Sequence, residues 1–196
     1  NGKFPGMTEP SAGYHGVRWF ETFGDFGFTM RCRMETLRVY GAALAPASAW
    51  QILQGIETLP LRMKRHCDNA LAVAKFLRDD PRVSFVNYPG LADHPQHDLL
   101  TRQMRGASGL LAFGLQGGAQ AGVRFIESAQ LLSHLVNIGV ARTLVSHPAS
   151  TTHRQLDPGQ LAAAGVSPEL VRISVGLENL DEILWDIDQA LAAASR

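Results

Sequence analysis

Two segments decide the fold of this chain: residues 143–153 (TLVSHPASTTH) and residues 171–178 (VRISVGLE). The second segment alternates apolar with polar or small residues, which is the two-residue period of a β-strand. Its apolar members should face a hydrophobic core, and they are Val171, Ile173 and Val175.

Arg172 would then stand on the opposite face of that strand, next to the small Ser174. A guanidinium offers a rigid fork of donors that matches a carboxylate in two places. The hydroxyl-rich residues 143–153 could line the same cleft. From the pattern alone two interpretations stay open, a ligand-binding arginine and an ordinary surface ion pair, of which the second is more frequent.

Together the two segments resemble the C-terminal signature of the pyridoxal-phosphate enzymes of cysteine and methionine metabolism. That family includes cystathionine synthases and lyases, methionine lyases and homoserine sulfhydrylases. The resemblance implies that Arg172 grips the α-carboxylate of the substrate. It also implies that Thr143 lies beside Arg172, at a position where the family usually has serine. Residues 4–16 (FPGMTEPSAGYHG) resemble, more specifically, a segment of the O-acetylhomoserine sulfhydrylases.

Composition bounds the possible functions. The chain has 196 residues, 45% of them hydrophobic, and a formal net charge of +0, which suits one large or two small domains. There is no basic excess for nucleic acid or a membrane surface, and no run as apolar and long as a membrane span or a signal peptide. The two cysteines suggest no disulfide framework, so a cytoplasmic location is predicted.

The periodicity predicts helices and strands that alternate over a small sheet from about residue 60, an α/β domain of two layers. We predict a boundary there. Residues 1–59 would be loop and helices linking to a large cofactor-binding domain, and residues 60–196 a small C-terminal α/β domain. The resemblance implies the C-terminal portion of a fold-type I pyridoxal-phosphate-dependent transferase, with a small mixed sheet covered by helices. Residues 1–25 are predicted to form an extended loop.

Three local patterns give further expectations. A long helix from about Pro60 should turn a stripe toward the core, with Cys67 as a small core residue within it. Asn179 and Glu182 form a capping-box pattern at the start of the last helix. The pair His94 and His97 has a spacing found at metal sites, but no further ligand lies at usable spacing, so we predict no metal. The predicted core stripe of the long helix is Met63, Cys67, Ala70, Leu71, Ala74 and Leu77.

The lysines set a limit on what this chain can do. A pyridoxal-phosphate enzyme needs a lysine that holds the cofactor. The chain has only Lys3, Lys64 and Lys75, and none stands in the Ser-x-Thr-Lys context of the family. The resemblance therefore implies that pyridoxal 5'-phosphate is bound mainly by an N-terminal half that is absent from this sequence. No catalytic or cofactor-binding residue is expected in this chain, which alone should be inactive.

The resemblance implies a γ-replacement in methionine biosynthesis. O-acetyl-L-homoserine would react with sulfide or methanethiol to give homocysteine or methionine plus acetate. Two alternatives within the family are an O-succinylhomoserine sulfhydrylase and a methionine or cystathionine lyase. An alternative from another class is a stand-alone amino-acid-binding module. The expected partners are the small-molecule ester and sulfide, the missing half, and neighbouring subunits of a homotetramer.

Overall fold

The computed structural model describes residues 3–196, which divide into two compact units between Gly55 and Ile56. This division lies four residues before the predicted boundary at 59 and 60. The role predicted for residues 1–59, a link to a larger domain, stays a prediction.

The first unit consists of short helical segments, and not of the extended loop predicted for residues 1–25. The segments are α1 (Pro5–Thr8), a 3₁₀ turn (Ala12–Tyr14), α2 (Trp19–Phe23), a 3₁₀ turn (Gly24–Phe26), α3 (Gly27–Arg31), a π-helical stretch (Cys32–Leu37), α4 (Arg38–Tyr40) and most of α5 (Pro46–Glu57). From Gly27 to Tyr40 the helical segments follow one another without a break, and Gly41 ends them with a φ of +62°.

The loop prediction failed because this segment is ordered by packing between aromatic rings. Trp19 is fully buried, its ring stacks on Phe23 at 6.0 Å, and Tyr14 meets it edge-on at 5.1 Å. Helices of three to five residues are too short to show a hydrophobic period, so only these ring contacts could have revealed them.

The second unit alternates helices with the five strands of one mixed sheet, as the sequence predicted. Its elements are α6 (Leu59–Arg78), β1 (Val83–Asn87), α7 (His97–Gln103), β2 (Leu110–Leu115), α8 (Gly118–Ser128), β3 (Ser133–His134), β4 (Leu144–Ser146), a 3₁₀ turn (Pro148–Ser150), α9 (Pro158–Ala163), β5 (Leu170–Ser174) and α10 (Leu180–Ala194). The strand order is β1-β2-β5-β4-β3, antiparallel except between β3 and β4. The strand β5, which carries Arg172, is therefore the central one.

The hydrophobic core lies between one face of the sheet and helices α6, α8 and α10. Within it, the ring of Phe113 on β2 meets the ring of Phe125 on α8 edge-on at 5.5 Å. Burying such a side chain stabilises the folded state by about 1.5–3 kcal/mol, so the packing on this face is the main source of stability of the unit.

The core face of α6 differs from the predicted stripe. Ala70, Ala74 and Leu77 are buried as predicted. The prediction for Cys67 is wrong, because this cysteine is only half-buried and lines a surface cavity. The helix is rotated so that two polar residues turn inward, His66 and Asn69, which bond to backbone carbonyls just after β5.

Side-chain caps open two of the helices, α9 and α10. Asp157 and Gln160 form the full capping box of α9, with bonds of 2.9 and 3.0 Å. At α10, Asn179 instead accepts the N–H of Asp181 at 2.9 Å, so the box predicted with Glu182 is replaced by a simple cap. Among the helices described, none combines the length and the apolar character that crossing a membrane would require.

Candidate carboxylate-binding site

The strand β5 divides its side chains between the two faces of the sheet as its alternation predicts. Val171, Ile173 and Val175 are fully buried in the core. Arg172 lies on the other face, where it pairs across the sheet with Ala112 of β2 and Ser146 of β4. Both neighbours are small, so the guanidinium has room on that face.

Arg172 borders a cavity of about 370 Å³ on this face of the sheet. The wall is mostly apolar, with an imidazole and an amide at its edges. The lining residues are Asn87, Pro89, Leu110, Leu111, Ala112, Pro148, His153, Val166, Leu170 and Arg172. A cavity with apolar walls and a few polar groups is the usual form of a small-molecule site.

The guanidinium of Arg172 is left almost without protein partners. Its hydrogen bond goes from Nη2 to the carbonyl oxygen of Asn137 at 3.4 Å, which is long for such a bond. Within residues 3–196 it forms no salt bridge, so the alternative of an ordinary surface ion pair is not what the structure contains. A half-buried guanidinium with free donors can accept an anion, and its planar fork matches the geometry of a carboxylate.

Asn137 is a site residue that the sequence did not single out. It lies in the segment between β3 and β4, and its side-chain oxygen accepts the N–H of Ile138 at 2.8 Å. Its backbone carbonyl accepts the long hydrogen bond from Arg172. The only local signal is a turn, since Gly139 follows with a φ of +72°, and nothing in that signal points to a residue 35 positions away.

Thr143 is not brought to the Arg172 cavity by its side chain. The residue is fully buried, and continuing the alternation of β4 by one residue puts it on the core face with Val145. Its hydroxyl donates to Oε2 of Glu178 at 2.8 Å and accepts the N–H of Gly176 at 2.9 Å. The hydroxyl is therefore already used in both senses, as donor and as acceptor.

The rest of residues 143–153 contributes to the cavity only in part. Pro148 and His153 line it. Two hydroxyls form hydrogen bonds within the segment itself. The hydroxyl of Ser150 lies 2.8 Å from Nδ1 of His147, and the hydroxyl of Thr151 donates to the His147 carbonyl at 2.7 Å. These bonds shape the turn that carries His153 to the cavity, and they leave few hydroxyls free for a ligand.

His94 and His97 act as anchors of a surface loop. Nε2 of His94 lies 3.0 Å from Oδ1 of Asn87, and Nδ1 of His97 lies 2.9 Å from the carbonyl of Pro89. In the part of the chain that the structure covers, no three His, Cys, Asp or Glu side chains are grouped to hold a metal ion.

Neither lysine of the second unit lines the Arg172 cavity. Lys64 pairs with Asp68 at 2.6 Å on the exposed side of α6, and Lys75 is exposed on the same helix. Lys3 is exposed at the start of the described residues, and no lysine appears among those that line the cavity. The residues at this site thus fit the carboxylate of a ligand, but they do not include the amine that would hold pyridoxal phosphate.

The chain is similar to several known enzymes over almost its whole length. It is 50% identical over 192 residues to O-acetyl-L-homoserine sulfhydrylase 1 of Thermus thermophilus, which covers 97% of this chain and 46% of that protein. It is 43% identical over 193 residues to the homocysteine synthase of Schizosaccharomyces pombe, covering 98% of this chain and 45% of the relative. It is 46% identical over 166 residues to the L-methionine gamma-lyase of Pseudomonas putida, covering 84% of this chain and 42% of the relative. The chain thus spans less than half the length of these relatives.

A solved structure from Campylobacter jejuni, assigned as an O-acetylhomoserine (thiol)-lyase and carrying a pyridoxyl-lysine phosphate, has a similar fold. The TM-score is 0.84 at 38% sequence identity, over 98% of this chain and 46% of the other. The family model described as Cys/Met metabolism PLP-dependent enzyme matches residues 23–192. The central arginine strand and its sheet therefore belong to a known architecture, and the chain is a member of the Cys/Met metabolism PLP-dependent enzyme family.

Proposed function

We propose that Arg172 binds the α-carboxylate of an amino-acid substrate. The observation that carries this proposal is the state of the guanidinium, half-buried beside a cavity with no carboxylate partner among the described residues. A cation so placed loses water without gaining a counter-ion, and an incoming carboxylate supplies one through two parallel hydrogen bonds.

Thr143 has a supporting role in this proposal. Its hydroxyl is buried and already donates and accepts a hydrogen bond. We therefore propose that Thr143 holds the backbone near the site in place and does not contact the ligand directly. It stands immediately before β4, the strand whose Ser146 is the cross-strand neighbour of Arg172.

For the full-length protein we propose an O-acetylhomoserine sulfhydrylase. The reaction would be γ-replacement on O-acetyl-L-homoserine by sulfide or methanethiol, giving homocysteine or methionine plus acetate. The near-complete coverage of this chain by sulfhydrylases supports this over a methionine or cystathionine lyase, since the lyase match covers less of the chain. An enzyme part is favoured over a stand-alone amino-acid-binding module for the same reason.

Pyridoxal phosphate would supply the electron sink for removal of the α-proton, and the lysine that holds it would come from outside residues 1–196. The contribution of this chain to the reaction would be to position the substrate. Arg172 would fix the carboxylate so that the amino acid has one orientation, and the apolar wall would exclude water around that ion pair. We further propose a cytoplasmic homotetramer, in which neighbouring subunits and an N-terminal half complete the site.

The test is Arg172→Lys in the full-length enzyme. Lysine keeps the charge but loses the planar fork, and a charge-assisted hydrogen bond is worth roughly 1.5–3 kcal/mol, so kcat/KM for the homoserine ester should fall about tenfold to a hundredfold. The visible absorbance of the bound cofactor should not change. Near wild-type kcat/KM would return Arg172 to a structural role.

The same preparation distinguishes the alternative substrates. Assays with O-acetyl- and O-succinyl-L-homoserine, each with and without sulfide, separate an acetyl-specific from a succinyl-specific sulfhydrylase. Release of an α-keto acid without sulfide would instead indicate a lyase.

A further inference from the structure

The two carboxylate oxygens of Glu178 each accept a hydrogen bond from Thr143. Oε1 accepts the backbone N–H of Thr143 at 2.5 Å, and Oε2 accepts its hydroxyl at 2.8 Å. The same hydroxyl accepts the N–H of Gly176 at 2.9 Å, which closes a small ring of bonds between the exit of β5 and the entry of β4. Hydrogen bonds to a carboxylate are about twice as strong as neutral ones, so this ring is a firm attachment.

The backbone around Glu178 is fixed independently by α6. Nδ2 of Asn69 donates to the carbonyls of Gly176 and Glu178 at 3.1 and 3.2 Å. Nδ1 of His66 lies 2.6 Å from the carbonyl of Val175, with both side chains buried. Because the main chain is anchored from this side, the carboxylate of Glu178 is free to hold something else in place, and it holds Thr143.

What Glu178 holds is the segment that reaches Arg172. Thr143 is the last residue of the connection between β3 and β4, which residues 135–143 form. Leu177 donates to the carbonyl of Ala141 at 2.8 Å, so the connection is attached there as well. Further back in it, the carbonyl of Asn137 accepts the Arg172 bond.

Gly176 shows how closely the two segments approach. A Cβ built on this residue would collide with the Glu178 carboxylate and with the carbonyl oxygen of Ala141. Only glycine fits there, because the backbone at Ala141 and Arg142 lies directly against the end of β5.

We infer that Glu178 is a positioning residue of the carboxylate site. It acts through Thr143 on residues 137–142, and through the Asn137 carbonyl on the direction of the Arg172 guanidinium. The inference rests on the proposed function, because it presumes that Arg172 binds the carboxylate. Glu178 itself touches no ligand in this scheme, and it sets the aim of the residue that does.

The experiment uses the full-length enzyme and two matched competitive ligands. L-norleucine carries the α-carboxylate, and pentylamine is the same molecule without it. Glu178→Gln keeps an acceptor for the Thr143 N–H but loses the acceptor for the hydroxyl. It should weaken L-norleucine about threefold to tenfold and leave pentylamine unchanged. A residue that only stabilised the fold would lower the melting temperature and leave the ratio of the two inhibition constants unchanged, and that result would overturn the inference.

Companion variants locate the effect. Thr143→Ser keeps the hydroxyl and should bind both ligands as the wild type does, whereas Thr143→Val should reproduce the selective loss of L-norleucine. Glu182→Gln, an exposed glutamate nearby on α10, removes the same charge without touching Thr143 and is the control. If Glu178→Gln does not fold, Thr143→Val carries the comparison, and an unchanged ratio in it overturns the inference.

Arg172→Lys separates this inference from the proposed function. If Arg172→Lys weakens L-norleucine selectively while Glu178→Gln does not, the positioning role is wrong and the carboxylate assignment stands. If neither variant changes the ratio, the carboxylate assignment itself fails.

Discussion

Arg82, just before the edge strand β1, and Arg172, on the central strand β5, have different surroundings. Arg82 precedes β1 and is held by Asp80 through both carboxylate oxygens, at 2.9 and 2.5 Å, and by Asp188 at 2.5 Å. Hydrogen bonding to Arg82 lowers the pKa of Asp80, and the bond to Asp80 raises the pKa of Arg82. Arg172 has one long bond to a backbone carbonyl.

The difference separates a structural arginine from one available to a ligand. In both cases a guanidinium lies against the sheet, and in both the local sequence contains a strand. Only the presence of carboxylates at the right distance tells them apart. Guanidinium donors that bond to carboxylates of the protein contribute to its stability. Guanidinium donors without such partners are available to bind a ligand.

Arg172→Ala should produce the largest effect that sharpens this comparison. Truncating one partner of a desolvated charge pair costs about 2–5 kcal/mol, so kcat/KM of the full-length enzyme should fall between about thirtyfold and a few thousandfold. The free energy of unfolding should change by less than about 0.5 kcal/mol, because the side chain has little to lose in the free protein. Steady-state kinetics and denaturant unfolding of one preparation check both, and a loss of stability larger than the loss of activity would contradict the contrast.

Arg82→Met should show the reverse pattern at a smaller scale. Methionine preserves much of the aliphatic stem but none of the bonds to Asp80 and Asp188. We expect the free energy of unfolding to fall by about 1–2 kcal/mol, with kcat/KM unchanged. Chemical denaturation with the linear extrapolation measures it. If this variant lost activity at full stability, the two arginines would not differ as described.

The smallest expected effect is a pH dependence at Asp80. Its pKa is lowered by Arg82, so its contribution to stability is complete above the ordinary aspartate pKa of about 4 and is lost as the pH falls through the lower folded-state value. The stability difference between wild type and Asp80→Asn, about 1 kcal/mol at neutral pH, should therefore shrink below pH 4. Thermal unfolding from pH 7 to pH 2.5 follows it, and a constant difference over that range would argue against the pair.

The strand β5 shows how far sequence can predict a site. Its two-residue period separated the core residues Val171 and Ile173 from Arg172, and the structure confirms both faces. The placement of Thr143 beside Arg172 came from the family resemblance, and it stays a prediction. The structure shows that the Thr143 hydroxyl donates to Glu178, a residue 35 positions later.

Buried polar residues are the other class that the sequence did not reveal. Asp186 is fully buried in α10, where its carboxylate accepts three backbone N–H groups just before β3, from Gln130, Leu131 and Leu132. A helical stripe made of apolar positions gives no reason to expect a carboxylate within it. Its partners lie more than 50 residues earlier in the chain.

The sequence by itself determined the alternation of helix and strand, the side of β5 on which Arg172 lies, and the family. Each of these depends on residues close together in the chain, through backbone period or a contiguous motif. Only the tertiary structure decided that Arg172 has no carboxylate partner among the described residues, that the Asn137 carbonyl meets it, and that Glu178 is bound to Thr143. These contacts join residues about 35 positions apart, and they exist because β4 pairs with β5 in one particular register, which no local pattern specifies.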